Sequence, residues 1–378
     1  MFFEKFKRFC LIFSFFFFGS LYTVLNSVVL KSEFAWKSHL TLEFHKPWFQ
    51  LFLMQIAMTC YEIPNVIRKL IVRTSKKQPN PSPFPTLSLF RSSALPSICQ
   101  LLSTVMQFYG LIYIPAAVWQ VFFGFQVLFA TLFAVTIRKQ KLYLVDWLGL
   151  FICVSGMCFS GVSALLRGIR SDNSDNITRI FFSFIILIMA HGISAYQTIL
   201  EEKLLHETSI DSVQLISFEG IWGTYICIFI CLPICSILPF NRTIGIYENT
   251  IESFIMLSKS YTLDLLLLGY MASISLYQFF GINVTKFSTA IHRNLYEMMR
   301  PFFVWLISIV AQQITSNINE PLDRYSFLEI FGFVFSIFGS LIYNRVIRFP
   351  CFTYVEDQDH LNTNPLMYHH AGPLLTHH

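Results

Sequence analysis

Ten stretches of about 20 mainly apolar residues run through this 378-residue chain. A helix needs about 20 such residues to cross a hydrocarbon core roughly 30 Å thick. Charged residues make up only 13% of the chain, about half the share of a soluble domain. This composition excludes a soluble enzyme, a disordered chain and a disulfide-stapled secreted domain. We therefore predict an integral, multi-pass membrane protein.

The apolar stretches do not alternate between apolar and polar residues, as the strands of a membrane barrel would. The predicted fold is therefore an all-α membrane protein with ten transmembrane helices. The predicted spans, called the first to the tenth span below, are approximately 8–30, 47–70, 93–114, 116–137, 143–166, 178–203, 213–238, 262–284, 290–311 and 326–346.

The distribution of Lys and Arg over the loops indicates the orientation. With the N-terminus in the cytosol, sixteen of these residues fall on the cytosolic side and nine on the other. Both termini are therefore predicted to be cytosolic. The sequons at Asn176 and Asn241 then lie on the non-cytosolic side, where glycosylation occurs; their occupancy stays open.

The spans and their short loops are predicted to form one domain over residues 1–346. A proline-rich cytosolic loop, 74–92, interrupts it, and a polar cytosolic tail, 347–378, is predicted to be disordered. The histidines of the tail are interpreted as solvated rather than as metal ligands.

Three short blocks of sequence recur in the same order, as internal repeats do. Residues 107–114 match 278–285, residues 119–127 match 296–304, and Asp146, Gly149 and Gly156 match Glu329, Gly332 and Gly339. The repeats, about 8–166 and 178–346, contain five spans each, so the second must enter the membrane in the opposite sense. An inverted repeat of this kind predicts alternating access around a midplane site.

Three ionisable side chains lie on one face of the ninth span. Arg293, Glu297 and Arg300 are spaced i, i+4 and i+7. They either form a salt-bridge stripe that packs the bundle or line a binding site for an anion. Two arginines against one glutamate leave one cation unpaired, and an uncompensated buried charge favours a ligand.

Further polar residues are expected near this cluster. Gln120 is the repeat mate of Glu297, and Gln107 is the repeat mate of Gln278. Together with Tyr296 they are candidates for hydrogen bonds to a substrate, although interhelical amide contacts would explain the glutamines as well.

Single carboxylates in two other spans are candidates for proton coupling. Glu62 lies in the second span and Glu219 in the seventh. Near a membrane face they would simply be solvated. Glu201 and Glu202, at the cytosolic end of the sixth span, are interpreted as a gate or a solvated helix end.

Enzyme chemistry finds no support in the motifs. The sequence contains no HExxH, no glycine-rich phosphate loop, no Cys-x-x-Cys pair and no GxSxG elbow. We predict no enzymatic activity, no catalytic residue, no cofactor, no metal and no nucleic-acid partner.

Many residues resemble the drug/metabolite transporter superfamily, and more narrowly the F subfamily of solute carrier family 35, of the sixth-member type, which is nucleotide-sugar-transporter-like. The resemblance covers about 8–346 apart from the proline-rich loop. It is carried by residues in eight of the spans, among them Phe44, Pro47, Gln50, Gln120, Gly124, Trp147-Leu-Gly149, Gln197, Leu200-Glu-Glu-Lys203, Glu219-Gly220, Gly281-Ile282, Arg293, Glu297, Arg300, Trp305 and Gly332.

The chain departs from the family pattern at two positions. The family's fourth span reads Gln-x-x-Arg-Gly, but Phe123 occupies the arginine position here. A glutamate expected early in the second span falls at Met58, one turn before Glu62. The resemblance implies a transport protein of an endomembrane (lysosome, Golgi or a related vesicle).

These features together predict a carrier that moves a small polar anionic metabolite, nucleotide-sugar-like or similar, across an endomembrane by alternating access. The predicted pocket lies between spans two, four, seven and nine. Its partners are the metabolite and the lipid bilayer, and a homodimer is left open. The alternative is a non-transporting scaffold or regulatory protein that has kept the carrier fold.

Overall fold

The structure is a computed structural model that describes residues 2–31, 33–37, 40–44, 46–63, 87–113, 119, 122–140, 142–168, 177–208, 210–237, 250–314, 326–343 and 347. Most of the proline-rich loop, the C-terminal tail and both sequons lie outside these ranges.

Helices dominate the described part of the chain. They are α1 (Phe2–Lys31), α2 (Pro47–Thr59), α3 (Leu87–Ser92), α4 (Ala94–Tyr113), α5 (Phe123–Thr136), α6 (Leu144–Gly168), α7 (Ile177–Glu207), α8 (Ser212–Ile226), α9 (Leu232–Ile237), α10 (Thr250–Lys259), α11 (Tyr261–Phe287), α12 (Ala290–Ile314) and α13 (Ser326–Tyr343).

A described helix overlaps each of the ten predicted spans. A 3-10 turn, Cys60–Glu62, extends α2, and a π-helical turn, Cys227–Cys231, joins α8 to α9 within the seventh span. Four described segments are long and apolar enough to cross a membrane: Phe6–Asn26, Phe182–Glu207, Ser212–Cys235 and Tyr261–Phe287. The chain is therefore a helical membrane protein.

An antiparallel hairpin and two short helices were not predicted. β1 (Glu33–Lys37) and β2 (Leu40–Glu43) form the hairpin between the first and second spans. Helix α3 lies at the end of the predicted loop 74–92. Helix α10, which precedes the eighth span, was not predicted.

The outer face of α1 shows how the bundle meets lipid. Phe9, Phe13 and Phe17 follow each other at four-residue spacing and are largely exposed, whereas Phe15 is buried against Tyr277 of α11. In water, such a stripe of exposed phenylalanines would be unfavourable. In a bilayer it contacts acyl chains.

Glycines let α6 and α13 pack with their backbones in close contact. A methyl group added at Gly156 would lie 2.6 Å from the backbone oxygen of Gly332, and one at Gly332 would lie 2.6 Å from that of Gly156. The contact between the helices is also reciprocal in its hydrogen bonds: the Cys153 thiol donates to the Ser336 carbonyl (3.3 Å), and the Ser336 hydroxyl donates to the Cys153 carbonyl (3.0 Å). Small residues at such contacts are typical of membrane helices.

The remaining long helices enclose a polar interior. Helix α1 packs against α11 and α12, α4 and α5 pack against α7, α2 packs against α8, and α5 meets α12. The helices that surround this interior position the side chains described next.

Candidate functional site

A cavity of about 800 Å³, including its opening, lies at the centre of the bundle. Side chains from α1, α2, α4, α5, α7, α11 and α12 line it, as does Trp119. Within the described residues, the seventh span contributes none of the lining, so the expectation that it would is wrong. The first, third, sixth and eighth spans contribute instead.

Arg293 is a buried cation that is fully engaged by acceptors. Its Nη1 donates to a carboxylate oxygen of Glu201, its Nε to Glu297 Oε1 (3.3 Å), and its Nη2 to the amide oxygen of Gln278 (3.3 Å). Gln197 in turn donates to Glu201. Two carboxylates therefore bind this one guanidinium in a water-poor interior, where ion pairs need such additional hydrogen bonds.

Glu201 is a second carboxylate beside the arginines of the ninth span, which the sequence analysis had counted against Glu297 alone. It is fully buried and accepts hydrogen bonds from Arg293 and Gln197 of the cavity wall, so it is not a solvated helix end. Its neighbour Glu202 is also buried, accepts from the backbone N–H of Ala290 (3.1 Å), and lies 3.7 Å from the Arg138 guanidinium. The two arginines of the ninth span and the carboxylates of Glu201 and Glu297 therefore sum to zero charge. Both of these carboxylates pair with Arg293, and Arg300 has no direct ion pair among the described residues.

Arg300 lies one helical turn from Glu297 and is 3% exposed. Its guanidinium carbon is 4.6 Å from the ring centre of Phe123, 5.1 Å from that of Tyr22 and 5.2 Å from that of Tyr277. Such cation–π contacts are worth about 2 kcal/mol or more when desolvated, and Arg300 also donates a side-chain hydrogen bond to Tyr22.

One donor of Arg300 lacks an acceptor. In the described part of the chain, no carboxylate forms an ion pair with Arg300, and its Nη1 is buried without a hydrogen-bond partner. A positively charged group held open in a cavity wall can bind an anion through charge-assisted hydrogen bonds.

Gln126 organises a polar network that the sequence analysis missed. Its side-chain nitrogen donates to Glu297 Oε2 (2.7 Å) and to Asn294 Oδ1 (2.9 Å), while its oxygen lies 2.9 Å from His191 Nδ1. Asn294 donates to the hydroxyl of Thr198 (3.0 Å). Because the amide oxygen is an acceptor, His191 must carry its proton on Nδ1.

A signal for Gln126 was present in the sequence. The offset of 171 residues that relates Gln107 to Gln278 also relates Gln126 to Glu297. The sequence analysis aligned residues 119–127 with 296–304 at an offset of 177, which pairs Glu297 with Gln120 instead. Gln120 lies outside the described residues.

The structure brings five of the predicted residues together in the cavity wall: Gln107, Gln278, Arg293, Glu297 and Arg300. Three others lie elsewhere. Tyr296 is partly buried against the ring of Phe16 (6.1 Å between ring centres) and is absent from the lining. Glu62 is half-buried at the end of its 3-10 turn. Glu219 is buried in α8, and neither of its carboxylate oxygens has a hydrogen-bond partner.

Three neutral lining residues also have polar atoms without partners. They are the side-chain oxygen of Asn26, the indole nitrogen of Trp119 and the hydroxyl of Tyr270, all buried. Buried polar atoms are nearly always hydrogen-bonded. All three residues line one cavity, so a polar group inside it would meet side chains that lack a partner.

The sequence model of the nucleotide-sugar transporter family matches residues 50–268, which is more than half of the chain. The chain belongs to the nucleotide-sugar transporter family. The match contains most of the cavity wall, including Gln100, Gln126 and Gln197, but ends before α12 and its arginines.

The chain is also similar to individual members of solute carrier family 35. Solute carrier family 35 member F6 of Mus musculus is 28% identical over 256 residues, and its Rattus norvegicus counterpart is 26% identical. Each match covers 67% of this chain and 66% of the relative. An uncharacterized protein of Schizosaccharomyces pombe is 26% identical over 68% of this chain and 75% of its own length.

A solved structure, described only as the crystal structure of a protein, has the same fold. The TM-score is 0.51 at 12% sequence identity, and the superposition covers 90% of this chain and 98% of that one. The predicted resemblance to a nucleotide-sugar-transporter-like F-subfamily protein is therefore confirmed.

Proposed function

We propose that this protein is a carrier that moves a small polar, anionic metabolite, nucleotide-sugar-like or similar, by alternating access. The observation that carries the proposal is Arg300, a buried cation with an unused donor in the wall of a central cavity. An ionisable group inside a bilayer costs several kcal/mol. A bound anion would offset that cost in a way that no described carboxylate does.

The other cavity residues have supporting roles in this proposal. Arg300 binds the anionic group, and Arg293 and Glu297 hold the polar network at its side. Gln107 and Gln278 donate to or accept from neutral parts of the substrate, and Gln120 is retained as a further candidate. Tyr296 is better placed as a packing residue against α1.

Reciprocal packing supports an inverted repeat of two five-span halves, and with it alternating access. The inverted repeat would exchange the first span with the sixth, the third with the eighth and the fourth with the ninth. This exchange relates the pair α1–α11 to α7–α4 and the pair α1–α12 to α7–α5. All four pairs are in contact. Gly110 and Gly281, repeat mates in the third and eighth spans, face Leu187 of the sixth and Phe15 of the first. We infer ten membrane spans with both termini in the cytosol.

For location, assembly and coupling we keep the predictions from the sequence. The carrier is placed in an endomembrane, and a homodimer is left to measurement. Of the two carboxylates considered for proton coupling, Glu219 is favoured because it is buried with both oxygens unpartnered, whereas Glu62 is half-buried. Buried carboxyl groups inside membrane spans are typical of proton pathways in transporters.

The test compares wild type with Arg300→Ala and Arg300→Lys, using Lys203→Ala, an exposed cation, as the control. Thermal unfolding is measured with nucleotide sugars, nucleotides, sugar phosphates and carboxylates. A ligand at 100 times its Kd stabilises the folded state by about 2.7 kcal/mol. That shift should appear in wild type and Lys203→Ala, weaken in Arg300→Lys and disappear in Arg300→Ala.

A different pattern would favour the scaffold alternative. If Arg300→Ala remains folded and no anion in the panel distinguishes it from wild type, Arg300 does not bind an anionic substrate. Uptake into proteoliposomes then serves as the second measurement, because a scaffold would show none for any member of the panel.

A further inference from the structure

We infer that the hydroxyl of Tyr22, in the first span, donates to the substrate anion beside Arg300, an assignment that rests on the proposed function and adds a binding residue to the same site. The two arginines of the ninth span are balanced by Glu201 and Glu297. An anion in this part of the cavity must therefore be held by hydrogen-bond donors and not by net charge alone.

Tyr22 lies against Arg300 in the cavity wall. Its ring centre is 5.1 Å from the guanidinium carbon, and Arg300 donates a side-chain hydrogen bond to its hydroxyl oxygen. Tyr22 is partly buried and lines the cavity, as Arg300 does. A substrate group that reaches the guanidinium therefore also reaches this hydroxyl.

The proton of the Tyr22 hydroxyl is left for another acceptor. A guanidinium can only donate, so Arg300 uses a lone pair of the hydroxyl oxygen and leaves its proton free. In the described part of the chain no side chain or backbone group accepts that proton, and Nη1 of Arg300 is also buried without an acceptor. Two neighbouring donors of this kind suit the oxygens of one phosphate or carboxylate group, because hydrogen bonds to an anion are about twice as strong as neutral ones.

Gly19, one turn before Tyr22 on α1, lets the first span approach Arg300 this closely. A methyl group added at Gly19 would lie 3.0 Å from the Cδ of Arg300 and 3.0 Å from two ring atoms of Tyr277. Ordinary carbon–carbon contacts are about 3.5–4.0 Å, so both side chains would have to shift. Gly19 is therefore a positioning residue: it sets the distance between α1 and the guanidinium.

The two donors belong to different halves of the proposed repeat. Tyr22 is in α1 of the first half and Arg300 in α12 of the second, and these helices are in contact. A state in which α1 and α12 separate would lose one donor, so a bound anion would favour the state in which they stay together. The anion thereby links occupancy of the site to the packing of the two halves.

The experiment measures how tightly two anions bind to the purified full-length protein. The probes are inorganic phosphate and uridine monophosphate, with uridine as the uncharged counterpart of the second. Dissociation constants come from the dependence of thermal unfolding on probe concentration. The variants are Tyr22→Phe, Gly19→Ala and Arg300→Ala.

Each of the first two variants has a matched control. Tyr61→Phe removes a hydroxyl that donates to the Ser275 carbonyl (3.2 Å), outside the described cavity wall. Gly269→Ala adds a methyl group between α11 and α1, at an ordinary 3.4 Å from Leu25. Both controls should bind the two anions as wild type does.

Tyr22→Phe keeps the ring on the guanidinium and loses only the hydroxyl. It should weaken the binding of both anions by about tenfold to a hundredfold, the effect of losing one hydrogen bond to a charged group, and leave uridine unchanged. Gly19→Ala should weaken both anions in the same direction but by less. Since Gly19→Ala keeps every polar group, its comparison with Gly269→Ala decides the question if Tyr22→Phe does not fold.

The direction of the change distinguishes the two possible roles of the hydroxyl. If Tyr22 only competes with the substrate for Arg300, Tyr22→Phe frees a donor and tightens the binding of both anions. Tighter or unchanged binding in Tyr22→Phe, with binding still lost in Arg300→Ala, overturns the assignment of Tyr22 while the anion site stands. If Arg300→Ala binds as wild type does, or wild type binds neither anion, the proposed anion site and the role of Tyr22 are both wrong.

Discussion

Replacing Gly156 by Ala would place a methyl carbon 2.5 Å from the backbone nitrogen of Ser336 and 2.6 Å from the backbone oxygen of Gly332. Backbone atoms cannot rotate away, so α6 and α13 would have to separate by about 1 Å to restore ordinary contact. Overpacking of this kind costs about 1–3 kcal/mol.

Gly124→Ala is the matched control. Its added methyl carbon would lie 3.6 Å from the Cβ of Met157, an ordinary contact. Both glycines lie in helices, so both variants gain similar helix propensity, roughly 1 kcal/mol. The difference between them therefore isolates the clash.

Reversible unfolding in SDS, followed by tryptophan fluorescence, gives the free energy of unfolding of each variant. Gly156→Ala should be about 1–3 kcal/mol less stable than Gly124→Ala. Gly332→Ala should lose a similar amount, because it adds a methyl group 2.6 Å from the Gly156 oxygen. The double variant should lose less than the sum, since one separation of the helices relieves both clashes. Equal stability of Gly156→Ala and Gly124→Ala would refute the close packing of these helices.

Three further outcomes are expected. Partial burial raises the pKa of Asp211, but the hydrogen bond and charge of Lys286 and the backbone N–H groups of Ser212 and Val213 bring that pKa below its ordinary value of 3.8. The ionised Asp211 therefore stabilises the folded state above pH 3.8, and this stabilisation is lost as the pH falls through the lower folded-state pKa. The melting temperatures of wild type and Asp211→Asn should accordingly converge at acidic pH. In proteoliposomes, Glu219→Gln should abolish the acceleration of transport by an imposed proton gradient while exchange without a gradient continues; an unchanged response to the gradient would rule this carboxyl out as the coupling group. Protease added to sealed endomembrane vesicles should remove an epitope at the C-terminus without detergent, and protection of the epitope would contradict a cytosolic tail.

The positions of the membrane helices could be read from the sequence because the bilayer fixes their length. The eighth predicted span, 262–284, lies within a helix observed over Tyr261–Phe287, and the ninth, 290–311, within Ala290–Ile314. The hairpin that ends at Glu43 was missed although Phe34 and Trp36 alternate with other residues in β1. Such a pattern of only a few residues carries little weight between two long apolar runs.

The candidate site could be predicted only in part. Arg293, Glu297 and Arg300 were recognisable because charge inside an apolar span is costly. The partners of these residues come from distant parts of the chain and depend on helix rotation, which a single sequence does not fix. Glu201 illustrates this limit: it stands in a charged run at a helix end, yet the turn of α7 directs it onto Arg293.

The three aromatic rings around Arg300 also bear on which ions the protein must exclude when no substrate is bound. A carrier in a membrane that separates unequal ion concentrations must not let protons or metal cations pass between turnovers. A guanidinium without a direct ion pair among the described residues, held against three rings in the cavity wall, repels such ions, as arginines do in selective pores. We therefore expect the vacant protein to be tight to cations, and a bound anion, by cancelling that charge, to lower the barrier only while the substrate occupies the path.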